Sequence, residues 1–229
     1  MTRQNKSIVI TSKPIALHDY LKETWNTKGM IGAFFRRDFK IRYAQTFIGV
    51  FWVVAQPILY LLAFLLAFGT LLGDESNQVP YVLFPITGLL VWSYFSFCMQ
   101  QSGSALIRSQ EIIRKAYFPR IILPVSKSVV GLIDLLVTIV LLISTLIFLN
   151  IGFQFEWLIT LGFLLASICL SVGVGLVVSI LSVRYRDIQH LVPLATHILL
   201  FVSPIAYPSA IVVDRLPQSI SWLYYLNPL

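Results

Sequence analysis

Five stretches of this chain are almost free of charge, and each exceeds the roughly 20 residues that an α-helix needs to cross membrane hydrocarbon. They run from Phe47 to Leu72, Val79 to Gly103, Ser128 to Phe155, Trp157 to Val183 and Ile188 to Val213, and the only charged residue among them is Asp134. None alternates apolar and polar residues, and each is far longer than the ~10 residues of a transmembrane β-strand. The pattern predicts an all-α membrane protein: a helical bundle with spans at about 47-72, 80-103, 126-149, 158-183 and 188-207. Charged residues make up 12% of the chain and hydrophobic ones 57%. Soluble domains sit near 25% and 45–50%, so ordinary soluble and disordered classes are excluded.

The charges that remain are placed unevenly. Of seventeen lysines and arginines, nine precede the first stretch, five lie between the second and third, and two lie between the fourth and fifth. Only Arg215 falls on the other side. The positive-inside bias then predicts a cytoplasmic N-terminus, and the net charge of +7 becomes a topology signal rather than a mark of nucleic-acid binding. Residues 1-46 form a polar N-terminal region ahead of a membrane domain, 47-229. Near the end of that region Phe35, Arg36, Arg37, Lys40 and Arg42 mix aromatic and basic side chains, as in a helix lying in the membrane interface. After the fifth span, residues 208-229 are broken by prolines and are expected to form an outer re-entrant segment. The final Asn227-Pro228-Leu229 resembles a helix entry, so a further span is expected beyond it.

Several residues are candidates for chemistry. The loop between spans two and three carries Ile113, Arg114, Lys115, Tyr117, Phe118 and Arg120, apolar knobs among basic residues. A short amphipathic helix there suits a groove on a partner protein, and Pro119 ends it. Asp134 lies about 10 Å into span three at 1.5 Å per residue. A carboxylate at that depth must face the protein interior, paired or wetted. Trp52, Tyr60, Trp92, Tyr94, Phe95, Phe201 and Tyr207 are aromatic faces on which sugar rings stack, so with Asp134 they form a possible substrate path. Membrane-interface anchoring and plain packing compete with that role. Cys98 and Cys169 lie in apolar runs, and no His, Cys or carboxylate cluster has metal-ligand spacing, so no metal site and no catalytic residues are expected. There is no Gly-x-x-x-x-Gly-Lys-Ser/Thr phosphate loop.

Three local patterns and their order resemble a known family. Lys40-Ile-Arg42-Tyr43-Ala-Gln45 leads into Gln56-Pro57. Ile113-Arg114-Lys115-Ala-Tyr117-Phe118-Pro119-Arg120 follows span two. Arg184-Tyr185-Arg186-Asp187 precedes Ser203-Pro204-Ile-Ala-Tyr207-Pro208, and Tyr225-Leu-Asn227-Pro228 closes the chain. Together they resemble the permease subunits of type-2 ATP-binding-cassette exporters, in the polysaccharide-export branch that handles O-antigen, capsule and teichoic acid. The resemblance implies six spans and a homodimer in a bacterial inner or plasma membrane. It implies a lipid-linked glycan as substrate and a separate ATP-binding-cassette ATPase, which holds ATP and Mg while this chain binds no cofactor. In that family the loop from Ser104 to Lys127 carries the coupling helix. Two other readings stand beside it: a type-2 exporter of a drug or small hydrophobic solute, and a membrane enzyme acting on lipid-linked sugars. The latter calls for a carboxylate or histidine cluster facing one leaflet, which the sequence lacks.

Overall fold

The computed structural model describes residues 17–43, 51–72, 80–152, 156–203 and Ile205. All regular structure among them is helical: α1 (Leu17–Asn26), α2 (Gly29–Tyr43), α3 (Phe51–Leu72), α4 (Leu83–Phe97), α5 (Ala105–Arg108), α6 (Gln110–Lys115), α7 (Ile122–Phe148), α8 (Glu156–Arg184) and α9 (Ile188–Val202). A π-helical turn, Cys98–Ser102, extends α4. Among the described residues three helices are long and apolar enough to cross a membrane: Leu83–Ser102, Ile122–Phe148 and Ile159–Arg184. The first and fifth apolar stretches form the shorter apolar helices Phe51–Ala67 and Ile188–Val202. The chain is thus a multi-pass helical membrane protein.

The fifth helix stops five residues before the expected end at 207. Ser203 is extended, with φ −80° and ψ 144°. Pro204 follows it, and a residue before proline is pushed out of the helical region. Tyr207 and the expected re-entrant segment 208-229 lie outside the described residues. Pro57 and Pro193 lie inside α3 and α9, whereas two other prolines start helices. Pro85 and Pro124 sit buried in the first turns of α4 and α7, where a missing N–H costs no helical hydrogen bond. α7 ends on Asn150 at φ 55°. Ile151 donates to the carbonyl of Leu146 and Asn150 to that of Ile147, the paired bonds of a left-handed helix cap.

α4 and its π-turn form the centre of the bundle, packed by α7 and α8. Helix association in lipid gains little from apolar area, so close backbone approach matters most. Ser171, Gly175, Ser179 and Ser182 give α8 a buried seam of small side chains. A Cβ on Gly175 would stand 2.9 Å from the carbonyl oxygen of Cys98, and one on Gly131 of α7 would meet the Phe97 ring at 2.5 Å. Ser102 and Ser128 share a buried hydrogen bond of 2.8 Å between the π-turn and α7. Cys98 is fully buried in this seam, whereas Cys169 is exposed on α8.

The N-terminal α2 lies along the first turns of α7. Met30, Ile31 and Phe34 pack against Phe118, Ile122 and Leu123. Two ion-pair rungs add to that contact. Asp38, 4% exposed, takes Arg37 at 2.8 Å and Lys127 at 3.2 Å. One turn further along α2, Arg42 meets Asp134 at 2.7 Å.

A candidate polar cavity in the bundle

Pro57, Gln56 and Tyr60 of α3 face Trp92, Ser93 and Ser96 of α4 across a cavity of about 250 Å³. Gln100 and Gln101 of the π-turn, Asp134 and Thr138 of α7, and Thr196 and His197 of α9 complete its polar wall. Helical spacing explains the assembly. Ser93, Ser96 and Gln100 recur at i, i+3 and i+7, and Gln56, Tyr60 and Phe64 at i, i+4 and i+8, each set on one face. The wide π-turn matters at the base. The amide of Gly103 donates to the carbonyl of Cys98, five residues back. Gln100 and Gln101 line the cavity from this turn. Such turns recur at functional sites.

The polar groups are organised into a network. The Gln100 side-chain amide donates to Ser96 Oγ at 3.2 Å and to Thr196 Oγ1 at 3.3 Å. Arg108 donates to Gln101 Oε1 at 3.3 Å. Thr196 donates to the Pro193 carbonyl at 2.8 Å, and His197 Nδ1 lies 2.6 Å from the same oxygen. A carbonyl only accepts, so Nδ1 carries the hydrogen and a neutral His197 keeps Nε2 as an acceptor. Pro193 itself has no N–H for the carbonyl of Gln189, and Pro57 none for that of Val53. Asp134 lines the cavity while bound to Arg42, whose guanidinium also lies 4.8 Å over the Phe97 ring. A carboxylate at this depth offsets its lost hydration through such a partner.

The residues expected to form a substrate path separate into groups. Tyr60, Trp92 and Asp134 line the cavity. Phe95 packs behind Trp92 at 5.9 Å, 4% exposed. Tyr94 is turned the other way, buried with Cys98 and Leu135 against α7 and α8. Trp52 and Phe201 are exposed on the outside of the helices. Among the five interfacial candidates, Arg36 and Lys40 are exposed, whereas Arg37 and Arg42 make the ion pairs above. Phe35 stacks on Phe39 at 6.1 Å.

The loop candidates also divide. α6 covers Ile113, Arg114 and Lys115, and the chain then runs extended to Pro119. Tyr117 is 53% exposed, but Phe118 is 7% exposed and its ring lies 5.6 Å from that of Phe34, tilted by 47°. Phe118 therefore holds α2 and is closed to any partner. Ile113 is half-buried beside it, and Arg114, Lys115 and Arg120 are exposed. Sequence reasoning missed Gln56, Ser93, Ser96, Gln100, Gln101, Thr138 and Thr196, although polar residues at helical spacing inside an apolar run were the available signal. It also missed Asp38, whose partner lies on another helix.

A multi-pass helical bundle around a polar cavity is an architecture that membrane transport subunits use. The family model of the ABC-2 type transporter matches residues 30–229, and the chain belongs to that family. It is similar to O-antigen export system permease proteins. The one from Klebsiella pneumoniae is 29% identical over 195 residues, 84% of this chain and 73% of that protein. The one from Myxococcus xanthus is 26% identical, covering 91% of this chain and 79% of the relative. The polysialic acid transport protein of Escherichia coli is 26% identical over 88% of this chain and 77% of its own length. Membership makes the chain a transporter permease that associates with an ATP-binding-cassette partner.

Proposed function

We propose that this chain is the transmembrane subunit of an ATP-driven exporter that moves a lipid-linked polysaccharide, of the O-antigen, capsule or teichoic-acid kind, across a bacterial inner membrane. It works as a homodimer with its N-terminus in the cytoplasm, and the partner ATPase holds ATP and Mg. The lining of the cavity carries this reading: amides and hydroxyls of Gln56, Ser93, Gln100 and Thr196 beside the faces of Trp92 and Tyr60. Sugar rings need both, donors and acceptors for hydroxyls and flat faces for C–H edges. The names of the relatives point to the same cargo class. Coupling falls to the exposed face of the loop, with Tyr117 as the apolar knob and Arg114 and Lys115 around it.

The test is complementation of a strain lacking its own permease, read as glycan on the cell surface. Gln56→Leu and Gln100→Leu keep side-chain size but remove the amides. Surface glycan should fall while membrane abundance holds, and Phe163→Ala, at a site 71% exposed on α8, should change neither. Undiminished display with both leucines would overturn the reading. A carrier of apolar solutes would tolerate the leucines or gain from them.

A further inference from the structure

A second opening lies on the side of the bundle away from the cavity and shares none of its lining residues. It is a groove of about 580 Å³ between α1, α5, α6, α8 and the start of α7. One wall is the last two turns of α8, where Leu176, Ile180 and Val183 recur at helical spacing. Leu106 and Ile113 face them, and Arg114 and Arg120 stand at the edge. Both arginines are exposed, and neither has a carboxylate within ion-pair distance among the described residues. Ser179 also lines the groove; it is 0% exposed, and its hydroxyl has no hydrogen-bond partner among the described residues.

Depth identifies what fits. Arg184 follows Val183 directly and ends the apolar run, so the α8 wall occupies the outermost part of one leaflet. Two guanidiniums at headgroup level match a phosphate, which arginine binds bidentately. The apolar wall below them matches an acyl chain. Ser179 lies five residues inside Arg184, about 7.5 Å deeper at 1.5 Å per residue, where a glycerol ester carbonyl sits below its phosphate. We propose that this groove binds one anionic phospholipid of the surrounding leaflet. The bulk lipid is favoured over a glycan carrier because the π-turn and α7 separate the groove from the polar cavity, so a lipid seated here is off that route. The lipid would fasten the loop to α8, next to the contact in which the Ile121 amide donates to the Tyr20 hydroxyl at 3.3 Å. This inference needs only the membrane setting, so it stands or falls apart from the glycan reading.

The experiment uses the permease with its ATPase partner in nanodiscs of phosphatidylcholine containing a minor share of phosphatidylglycerol. Native mass spectrometry counts the phosphatidylglycerol retained. One molecule per permease chain is expected. Arg114→Gln with Arg120→Gln should weaken retention about tenfold or more, the scale of one charged hydrogen bond. Arg114→Lys with Arg120→Lys should keep most of it. Val183→Trp fills the groove and leaves both arginines, and it should lose the lipid too; Ile180→Phe serves if that variant does not assemble. Retention unchanged in the glutamine variant would overturn the proposal. So would loss in that variant with full retention in both groove-filled forms, since the arginines would then hold lipid at the open surface. Displacement of phosphatidylglycerol by an equal amount of a polyprenyl diphosphate would assign the groove to the carrier lipid instead.

Discussion

The cavity and the groove flank the same central turn yet have opposite chemistry. The cavity gathers amides and hydroxyls from four helices of the bundle, and Ser93, Ser96, Gln100, Gln101, Thr138 and Thr196 each bond to a neighbour or to a backbone carbonyl. The groove is almost entirely apolar, and its two cations stand unpaired at the edge among the described residues. The difference follows from which faces of α7 and α8 are used. α8 turns its small-residue seam toward the π-turn, contributes nothing to the cavity, and presents leucine, isoleucine and valine to the groove. Close packing between the two openings keeps a polar site and a lipid-facing site apart over one helix diameter. The lesson is that in a membrane bundle the seam decides the chemistry on either side, because polar groups stay in the interior only where packing holds their partners in place.

That separation can be broken. The largest loss is expected from Phe118→Ala, which removes a ring packed between α2 and α7 and should cost about 3–5 kcal/mol. Thermal unfolding in detergent should show it, whereas Tyr117→Ala should leave the melting curve in place and lower ATPase coupling. Equal melting for both would mean that Phe118 does not anchor α2. Next comes Asp134→Ala, which strands Arg42 beside the Phe97 ring. A fully buried pair loses about 3–5 kcal/mol when one partner goes, and the partial exposure here, 19% for Asp134 and 30% for Arg42, reduces that figure. Replacing both, Arg42→Met with Asp134→Leu, should recover most of the melting temperature; no recovery would show that the pair is not the source of the loss. A smaller effect, about 1–3 kcal/mol, is expected from Gly175→Val, which drives a side chain into the Cys98 carbonyl. It should also widen the α8 seam, so that a cysteine placed at Ser102 becomes reactive to a small thiol reagent. A seam that stays closed would show that the π-turn has room to move. The least costly change is Gln100→Ala, about 1 kcal/mol from its lost hydrogen bonds, with its main readout in transport rather than melting.

Much of this arrangement was legible in the sequence, and the limits have physical reasons. The long apolar runs read directly as helices, because nothing else satisfies their backbone in lipid. Asp134 was legible as an inward-facing, partnered carboxylate, but its partner is 92 residues away on a helix outside the spans. No local pattern encodes that distance. Trp92 and Tyr94 read as one aromatic patch, yet residues two apart stand about 200° around a helix and cannot share a lining. Tyr117 and Phe118 looked equivalent as knobs on a basic loop. Only Phe34, arriving from α2, decides which one turns inward. The early end of α9 was readable from Pro204 alone. The groove was not readable at all, since its walls come from five segments whose apolar residues each look like ordinary membrane surface.

The Arg42–Asp134 contact has one more consequence, for the electric field inside the cavity. A lone carboxylate would act on passing dipoles with a field falling as the inverse square of distance, and every donor group would pause there. Capped by a guanidinium at 2.7 Å, the same carboxylate presents a compact pair whose field dies away much faster. A neutral polar group in the cavity meets a smooth wall in place of a ratchet tooth. The N-terminal helix, by supplying that cap from outside the spans, shapes the field of the interior.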